Sequence, residues 1–215
     1  MLFENYIFDL DGTLTDSRLG IYNSLVYALE QMNAAVVPGE LPPGFIGPPL
    51  QKGFELVFGM SETEVKQAVR LFREYYNDRG WMENEPYAGI INLLAELSQT
   101  NARVFVATAK LEDYATRIIT HFDMDQYIQK LYGAHYDEKK AGKTHIIERA
   151  VLENRLNNGT TVVIGDTHYD IQGARDLDLK SIAVGYGFSE EEELLKFSPD
   201  YFVEEVEDLY ELVFN

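Results

Sequence analysis

Two carboxylates stand two residues apart in Phe8-Asp9-Leu10-Asp11-Gly12-Thr13-Leu14-Thr15-Asp16, where an apolar run gives way to a turn. Such a pair can attack phosphorus. One carboxylate binds a cation and acts as a nucleophile, while its neighbour, shielded from the metal, carries a proton. Leu2, Phe3, Tyr6, Ile7 and Phe8 predict a short buried strand, and Asp-Gly-Thr is turn chemistry, so both acids belong at the mouth of a sheet. The competing reading is a loop whose aspartates only solvate a turn.

A sheet must exist to hold them, and three further apolar runs supply it: Val104 to Ala107, Thr161 to Gly165 and Ser181 to Gly185. Each is short, β-branched or small, and lacks polar alternation, as central parallel strands covered on both faces do. Helical spacing separates them at Ala88 to Ser98, Leu111 to Phe122, Thr144 to Leu156 and Ile171 to Leu177. The expected fold is therefore α/β, a doubly wound, Rossmann-like parallel sheet. Residues 16–82 break the rhythm and predict a small helical cap domain inserted into a core of residues 1–15 and 83–215. Within it a Pro- and Gly-rich loop runs from Pro38 to Pro49, and Ser61-Glu62-Thr63-Glu64 is a capping box opening a helix to about Asn77.

Ligands of open α/β sheets bind beyond the carboxyl ends of the strands, which directs attention to Asp9, Thr108 and Asp166. Thr108 would present a hydroxyl and a backbone N–H; its alternative is a helix N-cap. Lys143, following Ala141-Gly142 at a predicted helix start, is either a site cation or a solvated lysine. Asp166 and Asp170, four apart at a strand-to-helix turn, can converge on one cation, which takes oxygen ligands; the alternative is an N-cap plus a surface acid. Lys110, two residues beyond Thr108, is a candidate substrate contact at the site entrance.

The formal net charge is −18, from 36 acids against 18 bases. Such a surface disfavours nucleic acid and anionic lipid as partners, and it makes local cations necessary for any phosphate chemistry. With no cysteine, disulfides, thiolate zinc sites and cysteine nucleophiles are excluded. No segment is apolar enough to span a membrane, and Met1 to Asn5 lacks the basic start of a signal peptide, so a cytoplasmic location is expected. Asn158-Gly159-Thr160 is better read as a turn than as a glycosylation acceptor. The spacing of His121, His135, His145 and His168 does not indicate a zinc site.

The ordered set Asp9-x-Asp11-Gly12-Thr13, Thr108, Lys143 and Gly165-Asp166-x-x-x-Asp170 closely resembles the four-motif signature of haloacid dehalogenase-like hydrolases. The resemblance implies Asp9 as nucleophile, Asp11 as general acid and base, and Thr108 and Lys143 as holders of the phosphoryl oxygens. It also implies a Mg²⁺ site, with Asp9, Asp11, Asp166 and Asp170 as candidates, Asp170 either binding the metal or orienting Lys143. Asp11 argues against a true dehalogenase, which in that family lacks the second acid. Phe45 to Leu50 resembles the cap loop of phosphoglycolate phosphatase-like members and of a group of 5′-nucleotidases. Thr144 and Arg175-Asp176 depart from the commoner residues of relatives.

The activity implied is hydrolysis of a small phosphorylated metabolite through an aspartyl-phosphate, by a monomer or homodimer. Alternatives are a 5′-nucleotidase, a sugar phosphomutase on the same fold, a receiver domain, or a non-catalytic binding protein; the length and motif order differ from a receiver's. In the insertion, Phe45, Phe54, Phe58, Phe72, Tyr75, Tyr76 and Trp81 are expected to pack the cap. Lys52 and Gln51 are possible substrate contacts, and Arg73 is read as solvated. The cap is expected to close over Asp9 and admit only small phosphomonoesters.

Overall fold

Strand and helix alternate through most of the chain. The computed structural model describes residues 2–35, 39–135 and 142–214; Met1, Pro38 and Ala141, used above, lie outside them. The chain divides into two compact units, Met1–Asp16 with Pro86–Asn215, and Ser17–Glu85. The first unit opens with β1 (Asn5–Phe8) and β2 (Thr15–Asp16). The second holds α1 (Arg18–Gln31), α2 (Leu50–Phe58) and α3 (Glu62–Tyr75), and ends in β3 (Glu85–Pro86), which crosses into the first. After it come α4 (Ile90–Ser98), β4 (Arg103–Leu111), α5 (Glu112–His121), β5 (Lys130–Ala134), α6 (Lys143–Asn154) and β6 (Thr161–Gly165). The chain ends with α7 (His168–Asp176), β7 (Lys180–Val184), α8 (Glu191–Lys196), β8 (Tyr201–Val203) and α9 (Val206–Phe214).

Six strands form one sheet in the order β5-β4-β1-β6-β7-β8, every neighbouring pair parallel. β1 lies in register between β4 and β6, with Phe8 opposite both Val106 and Ile164. The strand order changes direction around β1, so the crevice beyond its carboxyl end is flanked by the ends of β4 and β6. On one face Ile7, Phe105 and Val163 pack against Ile146, Ile147 and Ala150 of α6. Tyr6, Phe8, Val104, Val106, Val162 and Ile164, which alternate with them, are buried as well. Burial on both faces explains why these runs lack polar alternation. Each fully buried side chain of this size contributes roughly 1.5–3 kcal/mol.

Two strands carry no clear sequence signal. β5 and β8 are the edges of the sheet; Lys-Leu-Tyr-Gly-Ala contains a charge and a glycine, and β8 has only three residues. Edge strands are short and polar for a physical reason, since a long apolar edge would pair with other chains. The first strand also begins at Asn5, later than the apolar Leu2 and Phe3. Among the described residues no helix is long and apolar enough to cross a membrane.

In the unit Ser17–Glu85, Ser61 and Glu64 form the capping box at the start of α3, and a π-helical turn at Tyr76–Gly80 follows the helix. Phe45, Phe54, Phe58 and Phe72 pack together with ring centroids 5.2 to 6.3 Å apart, and Tyr76 stacks on Phe72. Phe45 lies so close to Gly53 that a Cβ there would sit 3.1 Å from its ring. Tyr75 packs on Tyr27. These aromatics form the core of the helical unit.

Candidate active site

Asp9 follows β1 directly, and its N–H donates to the carbonyl of Ile164, so the residue is tied to the end of β6. The chain then folds back on itself, with the N–H groups of Thr13, Leu14 and Thr15 all donating to the Leu10 carbonyl. Gly12 makes that turn possible. Its φ is +83°, and a Cβ at this position would lie 2.1 Å from an Asp166 carboxylate oxygen. The turn thus presses against Asp166, the residue that follows the neighbouring strand β6.

Asp166 has no solvent exposure. Its Oδ1 accepts from the Thr13 hydroxyl at 3.1 Å and its Oδ2 from the Phe188 N–H at 2.9 Å. Asp170 lies one turn into α7, and it is buried, not a surface acid. Its Oδ2 accepts from both the N–H and the hydroxyl of Thr167, completing a capping box. Gly165 allows this approach, since a Cβ there would meet the Asp170 carboxyl carbon at 2.1 Å.

Lys143 is the first residue of α6, and its side chain is only 5% exposed. Its Nζ lies 2.7 Å from Asp9 Oδ1 and 2.8 Å from Asp170 Oδ1. Asp9, Asp166 and Asp170 bring carboxylate oxygens within 4.8 Å of one another. Fully ionised, three carboxylates against one ammonium leave two uncompensated negative charges in a buried space. Repulsion at about 4 Å and an effective dielectric of about 20 costs roughly 4 kcal/mol per pair.

Burial and mutual charge both act on these groups. Burial pushes the Asp9 carboxyl up to about 6, with Lys143 pulling it down and Asp170 pushing it further up. Burial, then the charges of Asp9 and Asp170, hold Asp166 well above the ordinary carboxylate range. Burial alone would lower Lys143, but Asp170 and Asp9 outweigh it and raise its pKa. The cluster fits a hard divalent cation on the chemistry of its donors, which are all oxygens and carry more charge than one lysine offsets.

Thr108 lies within β4, not at a helix start, and is buried. The register of β4 against β5 shifts between Ala107 and Leu111, so the strand bulges there, and the Lys110 N–H donates to Thr108 Oγ1. Bulges re-aim side chains beside functional sites. Here the bulge brings Lys110 to Asp11, with Nζ 2.8 Å from Oδ1 and 2.6 Å from Oδ2. Asp11, expected among the metal-site candidates, therefore has its carboxylate on Lys110, while the clustered carboxylates are Asp9, Asp166 and Asp170. Lys52 and Gln51 belong to the helical unit; Lys52 is exposed and pairs with Glu55 at 2.6 Å.

Three contributors were given no role from sequence: the Thr13 hydroxyl, the Phe188 N–H, and Tyr186, whose hydroxyl donates to the Thr13 carbonyl at 3.1 Å. Tyr186 and Phe188 follow β7, so the rule that sites gather at carboxyl ends of strands could have found them.

The chain belongs to the haloacid dehalogenase-like hydrolases, whose family model matches residues 6–184. It is 34% identical over 200 residues to a 5′-nucleotidase of Pseudomonas aeruginosa, covering 93% of this chain and 90% of that one. It is 36% identical over 182 residues to the tyrosine-protein kinase PtkA of Mycobacterium tuberculosis, covering 85% of this chain but only 62% of the kinase. More distant relatives bear the names phosphoglycolate phosphatase and pyrophosphatase PpaX. Among solved structures, a predicted phosphatase from Clostridium acetobutylicum superposes with a TM-score of 0.89 at 32% identity, covering 99% of each chain.

Proposed function

We propose that this protein is a Mg²⁺-dependent phosphatase of small phosphomonoesters, phosphoglycolate phosphatase-like, working through an aspartyl-phosphate on Asp9. The observation that carries the reading is the buried trio Asp9, Asp166 and Asp170 with Lys143 set between two of them. Asp9, Asp166 and Asp170 would hold the cation, which supplies charge neutralisation between the nucleophile and a dianionic phosphoryl group.

In the first step an Asp9 oxygen forms a bond to phosphorus as the ester P–O bond breaks, and the proton of Asp11 passes to the leaving oxygen. In the second, water forms the new bond to phosphorus and gives a proton to Asp11. The Asp9 O–P bond breaks and inorganic phosphate leaves. Lys143 and Thr108 hold phosphoryl oxygens, while Asp170 also orients Lys143.

A second reading, a 5′-nucleotidase, is favoured by the relative at 34% identity, which aligns with 93% of this chain. The test is turnover of p-nitrophenyl phosphate with Mg²⁺, its loss in chelator and in Asp9→Asn, followed by kcat/KM across phosphoglycolate, sugar phosphates and nucleoside monophosphates. Transfer of phosphate to a sugar hydroxyl in place of water would point to a mutase and overturn the hydrolytic reading.

A further inference from the structure

Asp11 and Asp9 are two residues apart, yet their carboxylates meet different partners. Asp9 joins Asp166, Asp170 and Lys143, while Asp11 meets Lys110 through both of its oxygens. The pair is sheltered, with the Lys110 side chain 8% and that of Asp11 16% exposed, so water screens it little. Both oxygens of a carboxylate engaged by one ammonium still leave lone pairs for a proton, because each oxygen accepts in two directions.

What places Lys110 there is the backbone. The β4 bulge carries more residues between Ala107 and Leu111 than the two-residue step Tyr132 to Ala134 opposite it. Gly133 lies in that step, and a Cβ on it would sit 2.5 Å from the Cα of Glu112, so β5 has no room for a side chain beside the start of α5. An unbroken strand would alternate faces without the extra residues and would not deliver Lys110 to the same place.

We propose that Lys110 is a positioning residue: it holds the Asp11 carboxyl apart from the Asp9, Asp166 and Asp170 cluster and so preserves Asp11 for proton transfer. This replaces the sequence-based expectation of Lys110 as a substrate contact, and it rests on the phosphatase reading above. Without the ammonium, Asp11 is free to turn toward a bound cation as an extra ligand, which would tighten the metal and remove the proton carrier.

The experiment is a double-mutant cycle on the full chain: wild type, Lys110→Met, Lys110→Arg, Asp11→Asn and Lys110→Met with Asp11→Asn. Each is assayed with p-nitrophenyl phosphate and Mg²⁺ and titrated calorimetrically with Mn²⁺ in the absence of substrate. Lys110→Met should lower kcat about tenfold with KM within about twofold, and Lys110→Arg should restore most of the loss, because a guanidinium also engages both carboxylate oxygens. In the Asp11→Asn background Lys110→Met should change kcat less than about twofold. Lys110→Met should bind Mn²⁺ several-fold more tightly, and Asp11→Asn should cancel that gain. A raised KM at unchanged kcat, losses that multiply, or a Mn²⁺ gain that persists without Asp11 would each overturn the proposal. If the wild type hydrolyses no phosphomonoester, the phosphatase reading falls, and the Mn²⁺ cycle alone still decides whether Lys110 holds Asp11 away from the metal.

Discussion

In chelator, wild-type protein and Asp9→Asn should diverge in stability as pH rises through 6. An unfolded aspartate has its ordinary pKa of 3.8, whereas burial among like charges pushes folded Asp9 up to about 6. A raised folded-state value means that the native protein binds the proton more tightly, so the contribution is fully present below the unfolded value. It is lost as pH climbs through the folded one. The gap of roughly two units, at 1.36 kcal/mol each, amounts to about 3 kcal/mol at pH 8. The asparagine side chain of the variant has no charge to bury and would escape that cost. Asp166, whose pKa is also held up in part by Asp9, would ionise more easily in the variant and widen the difference.

The comparison is best read as a difference between two differences, since the acids outside this cluster titrate alike in both proteins. Thermal unfolding in EDTA at pH 4 to 8 should show Asp9→Asn gaining on wild type by about 3 kcal/mol, or roughly 6 to 12 °C in Tm for a chain of this size. Added Mg²⁺ should reverse the order at pH 8 by stabilising wild type more. A constant difference across the pH range, or one that shrinks toward pH 8, would refute the argument that Asp9 is strained by burial.

Two further outcomes follow from the packing. Gly12→Ala places a Cβ 2.1 Å from the Asp166 carboxylate on a backbone with φ +83°, so it should cost several kcal/mol by denaturant titration and weaken metal binding in calorimetry. Lys143→Met leaves Asp9 and Asp170 without their shared cation and should destabilise by about 3–5 kcal/mol at pH 8, less at pH 5, where Asp9 is protonated.

Much of the fold was legible because its central strands are contiguous in sequence. Phe8, Ala107 and Gly165 end or nearly end apolar runs, and the residues that follow them are those that converge around β1. The edge strands were not legible: Lys130–Ala134 and Tyr201–Val203 are short and only partly buried, so neither carries an apolar pattern. Motif spacing placed Asp9, Lys143, Asp166 and Asp170 as candidates, but not their division of labour. Spacing cannot tell that Asp170 spends one oxygen on the Thr167 cap and turns the other to Lys143. Nor could it foresee Lys110 on Asp11, because that contact depends on a bulge in β4, and bulges arise from strand pairing. The Phe188 N–H on Asp166 was hidden for a related reason: backbone donors carry no residue identity.

The proposed mechanism turns on a covalent bond between Asp9 and the phosphoryl group. Rapid acid quench during turnover of p-nitrophenyl phosphate with Mg²⁺, with reductive trapping of the acyl phosphate and peptide mass spectrometry, tests it directly. The label should fall on Asp9 and on neither Asp11 nor Asp166, with trapped enzyme accumulating in Asp11→Asn as the second step slows. Label on another residue, or full turnover by Asp9→Asn once reversion of the amide to aspartate has been ruled out by mass, would contradict it.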